Sequence, residues 1–294
     1  MSEAKVAFVT GAASGFGKAI SSKLVEKGWK VALLDINEEA GHELETSLGA
    51  STKFFSTDVS SYASQSASFL SAYNHFGGRL DALVANAGIV DRSSLYLVNH
   101  RPSAVSDVPP EPDTTATDVD FKGVIYGTYL AVHFMRFNKS STGYTPKIIA
   151  TSSCAGVAPH PALPQYSGAK AGVVGFVRAV APVLKAKEGI AMSAVCPGLS
   201  PTAVLPGVVI DAVGADLLTP VEEVVKVFER YLDEEGDAYS GHVGLVMETE
   251  EQVENVGGYK FESEKGKGVY EAAMEPIFEA LHGSGSGLDV KGMF

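Results

Sequence analysis

Seven short runs rich in β-branched residues punctuate the chain, and longer stretches of helical period fill the space between them. The runs lie at 5–10, 30–36, 53–59, 80–86, 147–153, 190–196 and 242–247. Helical patterns occupy 15–27, 38–48, 62–76, 117–137, 166–187 and 221–234; in the first of these Ile20, Leu24 and Val25 share one face. Strands separated by helices cannot pair as hairpins. The arrangement that buries both is a parallel sheet with helices on either side. The pattern therefore predicts one doubly wound α/β domain over residues 1–250 with a seven-stranded parallel sheet. Right-handed crossovers then put a ligand site at the carboxyl ends of the strands.

Three segments depart from the alternation. Residues 89–116 ("RPSAVSDVPPEPDTT" within them) read as a long polar surface loop, and residues 199–218 as an apolar, helix-poor stretch. Residues 251–294 form a charged C-terminal extension that contains "GSGSG". A net charge of −12 without a basic cluster argues against a nucleic-acid or anionic-membrane partner. No apolar run in the sequence approaches a membrane span and no signal-peptide core follows "MSEAK", so a soluble cytoplasmic protein is expected. Cys154 and Cys196 are too few for a disulfide framework, and the histidines show no H-x-x-x-H pair. No metal site is expected.

The first strand runs into "TGAASGFG", with glycines at 11, 15 and 17. Five residues separate Gly11 from Gly17-Lys18 and Ala19 follows, which excludes a Walker loop; Ile20 occupies the last glycine position of G-x-G-x-x-G. A strand, a glycine turn and a helix amino end still favour a diphosphate, because unpaired N–H groups and the helix dipole attract an anion. Taken alone, the loop has a tight turn without a ligand as its weaker alternative. Asp35 at the end of "KVALLD" stands where an acid can bind adenosine ribose hydroxyls and repel a 2′-phosphate. With no Arg or Lys in 11–17 or directly after Asp35, the reading is NAD over NADP. Helix capping, the other use of such an Asp, can fall to Asn37.

"YSGAK" places Tyr166 and Lys170 one helical turn apart. A free phenol has a pKa near ~10, and a nearby ammonium favours the phenolate that a base needs. Ser153, in "IIATSSCAG", can hydrogen-bond the same substrate oxygen. Together with the loop, these residues resemble the short-chain dehydrogenase/reductase family. The match comprises TGxxxGxG as Thr10 to Gly17, Asp35, and Asp58 in "TDV". It continues through "NAG" as Asn86-Ala87-Gly88, Ser153, the YxxxK of Tyr166 and Lys170, and Pro197-Gly198 followed by Thr202.

The resemblance implies a Rossmann-type fold and hydride transfer between NAD(H) and a small-molecule alcohol or ketone. Gly11, Ser14, Gly15, Phe16 and Gly17 would hold the diphosphate. Asp35, Ile36, Asp58, Val59, Asn86, Ala87 and Gly88 would line the adenosine side, and Pro197, Gly198, Ser200 and Thr202 the carboxamide. Tyr166 would move the proton and contact the cofactor, Ser153 orient the carbonyl oxygen, and Lys170 assist Tyr166 and bind the nicotinamide ribose. The long helices at 117–137 and 166–187 imply a homodimer or homotetramer.

One position departs from the family pattern. The catalytic Asn of N-x-x-G is Asp120 here, in Asp120-Phe121-Lys122-Gly123. If that position acts through its backbone carbonyl, Asp serves. If the side chain matters, a carboxylate holds Lys170 protonated but opposes the phenolate, which makes oxidation rise toward alkaline pH. Ala85 replaces a second Asn found in many members. On the substrate side His160, Leu163, Leu199, Val204 and Leu205 suggest a largely apolar pocket, although His160 equally suits an exposed loop. Cys154 reads as buried packing beside the site and not as a nucleophile. Two other functions remain open: a dinucleotide-binding sensor without catalysis, and a non-redox isomerase or cyclase.

Overall fold

Aliphatic side chains on both faces of a strand demand two covering layers, and four strands here are buried along their whole length. They are β1 (Val6–Thr10), β4 (Ala82–Ala85), β5 (Lys147–Thr151) and β6 (Ala191–Pro197). β2 (Lys30–Asp35), β3 (Thr52–Ser56), β7 (Val243–Val246) and a two-residue β8 (Glu254–Asn255) complete the sheet. The computed structural model describes residues 4–97, 100–101, 104–138, 143–202, 204, 207–257 and isolated positions between 263 and 281.

The sheet order is β3-β2-β1-β4-β5-β6-β7-β8. All pairs are parallel except β7 with β8. The expected seven strands are all present, and the eighth is an addition. Two residues are too few to show a period, and β8 is held by pairing and by Val243 N–H donating to the Asn255 side-chain oxygen.

Because side chains alternate along a strand, β1 feeds two cores. Val6 and Phe8 face one cluster with Phe69, Phe134, Val173 and Val177, while Ala7 and Val9 face another with Ile20, Leu24, Trp29 and Phe228. α3 (Tyr62–His75), α5 (Gly123–Arg136) and α6 (Pro164–Glu188) cover the first face. α1 (Gly15–Glu26), α2 (Glu38–Leu48) and α8 (Val221–Asp233) cover the second. α6 is long and apolar enough to cross a membrane by length and composition, unlike the expectation that no segment would be. Its Val173, Val177 and Ala181 are buried in the first core.

Two segments differ from expectation. The helical pattern at 117–137 is broken into a short α4 (Thr115–Thr117), a π-helical turn over Asp118–Lys122, and α5. Residues 199–218 contain α7 (Gly207–Val213) and a 3-10 turn over Ala215–Leu217, so they are less helix-poor than expected. Seven residues span two turns, too few for periodicity to declare a helix. Beyond residue 250, Arg178 of α6 donates to the carbonyls of Val256 and Gly257.

Candidate active site

The strand order reverses between β1 and β4, and the crevice outside the carboxyl ends of a parallel sheet opens at such a switch. A cavity of about 560 Å³ lies there. Its wall includes the glycine loop, the ends of β2, β3 and β4, and the segments after β5 and β6.

The glycine loop follows β1 directly. Gly11 has φ +65°, and a Cβ there would lie 2.8 Å from the Ala87 Cα. A Cβ on Gly17 would collide with the Gly11 carbonyl. Gly17 thus lets α1 start against the loop but does not line the cavity; Gly11, Ser14, Gly15 and Phe16 do. Asp35 fixes the far side of the loop. Its Oδ2 accepts from Ala13 N–H at 2.9 Å and its Oδ1 from Asn37 N–H at 2.9 Å. Asn37 caps α2 by accepting from Ala40 N–H, as the alternative to an Asp35 cap requires. Asp35, Ile36, Asp58 and Val59 all line the cavity, and Asp58 Oδ1 is held by both donors of Ser60.

Asn86 lines the same wall, yet its side chain works as a staple. Its Nδ2 donates to the Thr10 carbonyl at 3.1 Å, and its Oδ1 accepts from Thr151 Oγ1 at 3.1 Å. Thr10 Oγ1 in turn accepts from Asn86 N–H and Ala87 N–H. Thr10 and Thr151 were missed as site residues, because they meet Asn86 across separations of 76 and 65 residues. Thr10 opens the TGxxxGxG match without showing this role, and Thr151 shows only its position at the carboxyl end of its strand.

Tyr166, Lys170 and Ser153 converge on this cavity. Lys170 Nζ lies 5.5 Å from the centre of the Tyr166 ring, donates to the Thr151 carbonyl at 3.0 Å and sits 3.5 Å from Asp120 Oδ2. Ser153 is the cap of a 3-10 turn, Cys154–Gly156; its Oγ accepts from Ala155 N–H at 3.1 Å and donates to Cys154 Sγ at 3.9 Å, a weak acceptor that a substrate oxygen can replace. Asp120 sits in the π-helical turn, fully buried and off the cavity wall. Its Oδ1 accepts from Ile89 N–H at 2.8 Å, while Oδ2 has no hydrogen-bond partner. Burial pushes the Asp120 carboxyl above its ordinary range, against the opposing pull of the Lys170 ammonium and the Ile89 N–H. The ion pair is therefore a costly one.

Pro197, Gly198, Leu199, Ser200, Thr202 and Val204 line the cavity from beyond β6. The Ser200 hydroxyl is buried without a partner. His160 and Leu163 line it opposite; His160 is exposed and its Nδ1 accepts from Ala162 N–H, leaving Nε2 free for solvent or ligand. Leu205 lies outside the described residues. Cys154 lines the cavity beside Ser153, half-buried where a buried side chain was expected. Among the described residues no His/Cys/Asp/Glu group could hold a metal ion.

The model of the short chain dehydrogenase family matches residues 5–209. The chain belongs to that family. This short-chain dehydrogenase is 39% identical to short-chain dehydrogenase/reductase prx6 of Penicillium rubens, over 97% of each chain, so the similarity continues past residue 250. It is 35% identical to human 15-hydroxyprostaglandin dehydrogenase [NAD(+)] over 68% of this chain and 70% of that one. A crystal structure of 3-ketoacyl-(acyl-carrier-protein) reductase from Brucella melitensis, complexed with NADH, shares the fold. It has a TM-score of 0.66 and 24% identity, covering 84% of this chain and 97% of that one.

The residues present fit a nicotinamide dinucleotide. The cradle at Gly11 is one a Cβ would fill, Asp35 presents a carboxylate beside it, and Ser200 holds an unpaired hydroxyl at the other end. Among described residues lining the cavity, the side-chain cations are Arg92 and Lys170, with His160 as a third titratable base. No Arg or Lys lies within residues 11–17 or directly after Asp35, where a 2′-phosphate would need one.

Proposed function

We propose that this short-chain dehydrogenase transfers a hydride between NAD(H) and a medium-sized, largely apolar secondary alcohol or ketone, with Tyr166 as the acid/base. The observation that carries this reading is the convergence of Tyr166, Ser153 and Lys170 on one cavity with the glycine loop and Asp35. The glycine loop and the amino end of α1 receive the diphosphate, and Asp35 the adenosine ribose. Ser200 and Thr202 hold the carboxamide. When bound, the nicotinamide supplies or accepts the hydride; that reactivity is the cofactor's own.

The remaining work falls to the chain's side chains. Ser153 donates its hydroxyl proton to the substrate oxygen, and Tyr166 takes the alcohol proton in oxidation or returns it in reduction. Lys170, pinned by the Thr151 carbonyl, keeps a positive charge beside the phenol ring and stabilises negative charge as it develops on the phenol oxygen. Leu163, Leu199 and Val204 exclude water and favour an apolar substrate. The relative named for 15-hydroxyprostaglandin and NAD(+) supports both the cofactor and the substrate size. A homodimer or homotetramer is part of this reading, supported by the exposed Tyr129 of α5.

Purified protein incubated with NAD and a panel of apolar secondary alcohols tests the reading by absorbance of the reduced nicotinamide. Turnover is expected. The buried Asp120 carboxylate gives one reason for the alternative, a sensing or non-redox role. Silence toward the whole panel together with clear NAD binding by calorimetry would favour it.

A further inference from the structure

α6 begins without a side-chain cap of its own. Its cap position is Leu163, which supplies no side-chain acceptor, and Pro164 has no N–H. Ser167 N–H already bonds the Leu163 carbonyl at 2.9 Å. The donors left over are the N–H groups of Gln165 and Tyr166, orphans of the kind every helix start exposes. Asp91, some seventy residues earlier in the chain, takes both. Its Oδ2 accepts from Gln165 N–H at 3.0 Å and its Oδ1 from Tyr166 N–H at 2.8 Å. A carboxylate is also the charge that a helix amino end favours.

Asp91 does not act alone in tying its loop to this turn. Gln165 Nε2 donates to the Asp113 carbonyl at 2.6 Å, and Tyr96 donates its hydroxyl to the Pro161 carbonyl at 2.7 Å. Two residues before Asp91, Ile89 N–H holds Asp120 at 2.8 Å. One short stretch therefore touches both the Tyr166 turn and the carboxylate beside Lys170.

We propose that Asp91 is a positioning residue for Tyr166: its carboxylate fixes the first turn of α6 and so sets the phenol against Ser153. The proposal rests on the reading of Tyr166 as acid/base. Without the carboxylate two N–H groups lose their acceptor and the turn frays. A displacement of about 1 Å at a reacting group can cost on the order of 10²-fold in rate.

The test compares Asp91→Ala, Asp91→Asn and Tyr166→Phe with the wild type, using NAD and an active secondary alcohol. NAD stoichiometry by calorimetry counts the folded sites. Asp91→Ala is expected to lower kcat per NAD-binding site by about 30-fold, with KM for NAD unchanged. Asp91→Asn keeps one acceptor oxygen and should recover part of the loss. Both variants within twofold of wild-type kcat, with Tyr166→Phe inactive, would overturn the positioning role alone. A loss of kcat that vanishes once counted per NAD-binding site would also overturn it, since that is a purely structural effect. Full turnover by Tyr166→Phe would instead remove the underlying reading.

Discussion

The two walls of the cavity are made differently. On the dinucleotide wall, backbone meets backbone: Gly17 leaves no room for a Cβ, Thr10 and Asn86 staple β1 to β4, and Asp35 holds the loop through Ala13 N–H. On the wall we assign to substrate, side chains from the 153–166 segment, the 89–116 loop and the region after β6 line the cavity, with Leu163, Leu199 and Val204 supplying apolar surface. The first wall is defined by sterics and hydrogen bonds that fix one shape. The second is defined by the volume of a few side chains, which can change without touching the sheet. A family built this way can keep its cofactor while its substrate varies.

Four substitutions test that contrast, in decreasing order of effect. Gly17→Ala forces the Gly11 carbonyl aside and should weaken NAD binding by more than about 100-fold by calorimetry. Unaltered affinity would show that the loop is not the rigid part. Asp35→Asn keeps one acceptor and removes the charge; NAD affinity should fall about tenfold while the preference over NADP narrows. Leu163→Ala should raise KM for an apolar alcohol by about 3–10-fold, the effect of a few methylenes, and leave NAD affinity alone. If NAD binding moved equally, the two walls would not be separable.

Asp120→Asn has the smallest expected effect, and it joins the walls. The folded carboxyl titrates above its unfolded value of 3.8, so the ionised form is less favourable in the fold than in the unfolded chain. That cost is present at pH above the folded value and absent below the unfolded one. In thermal unfolding, the variant should therefore gain on the wild type as pH rises from about 4 to 7. Removing the charge should also move the alkaline rise of the oxidation rate to lower pH. An unchanged pH–rate profile would deny the carboxylate any electrostatic role.

The contrast also explains what could be read from the amino-acid sequence. Runs such as Val6–Thr10 and Lys30–Asp35 announce themselves because a strand buried on both faces is continuously apolar. The dinucleotide wall was legible for a related reason: its glycines and Asp35 lie close in sequence, at strand ends. Contacts made across the fold left little signal. Asp91 sits in a polar loop and looks like any other loop acid until α6 folds against it. The π-helical turn at Asp118–Lys122 was hidden in an unbroken helical pattern, because widening one turn leaves residue types unchanged. β8 was too short to show a period.

The central claim is that the phenol of Tyr166 exchanges the substrate's proton in a site that binds NAD independently of it. Tyr166→Phe measures this directly, by NAD affinity in calorimetry and by kcat with an apolar secondary alcohol. Affinity within about threefold of the wild type and kcat lower by about 10³-fold is the result expected. Turnover that survives the loss of the hydroxyl contradicts it.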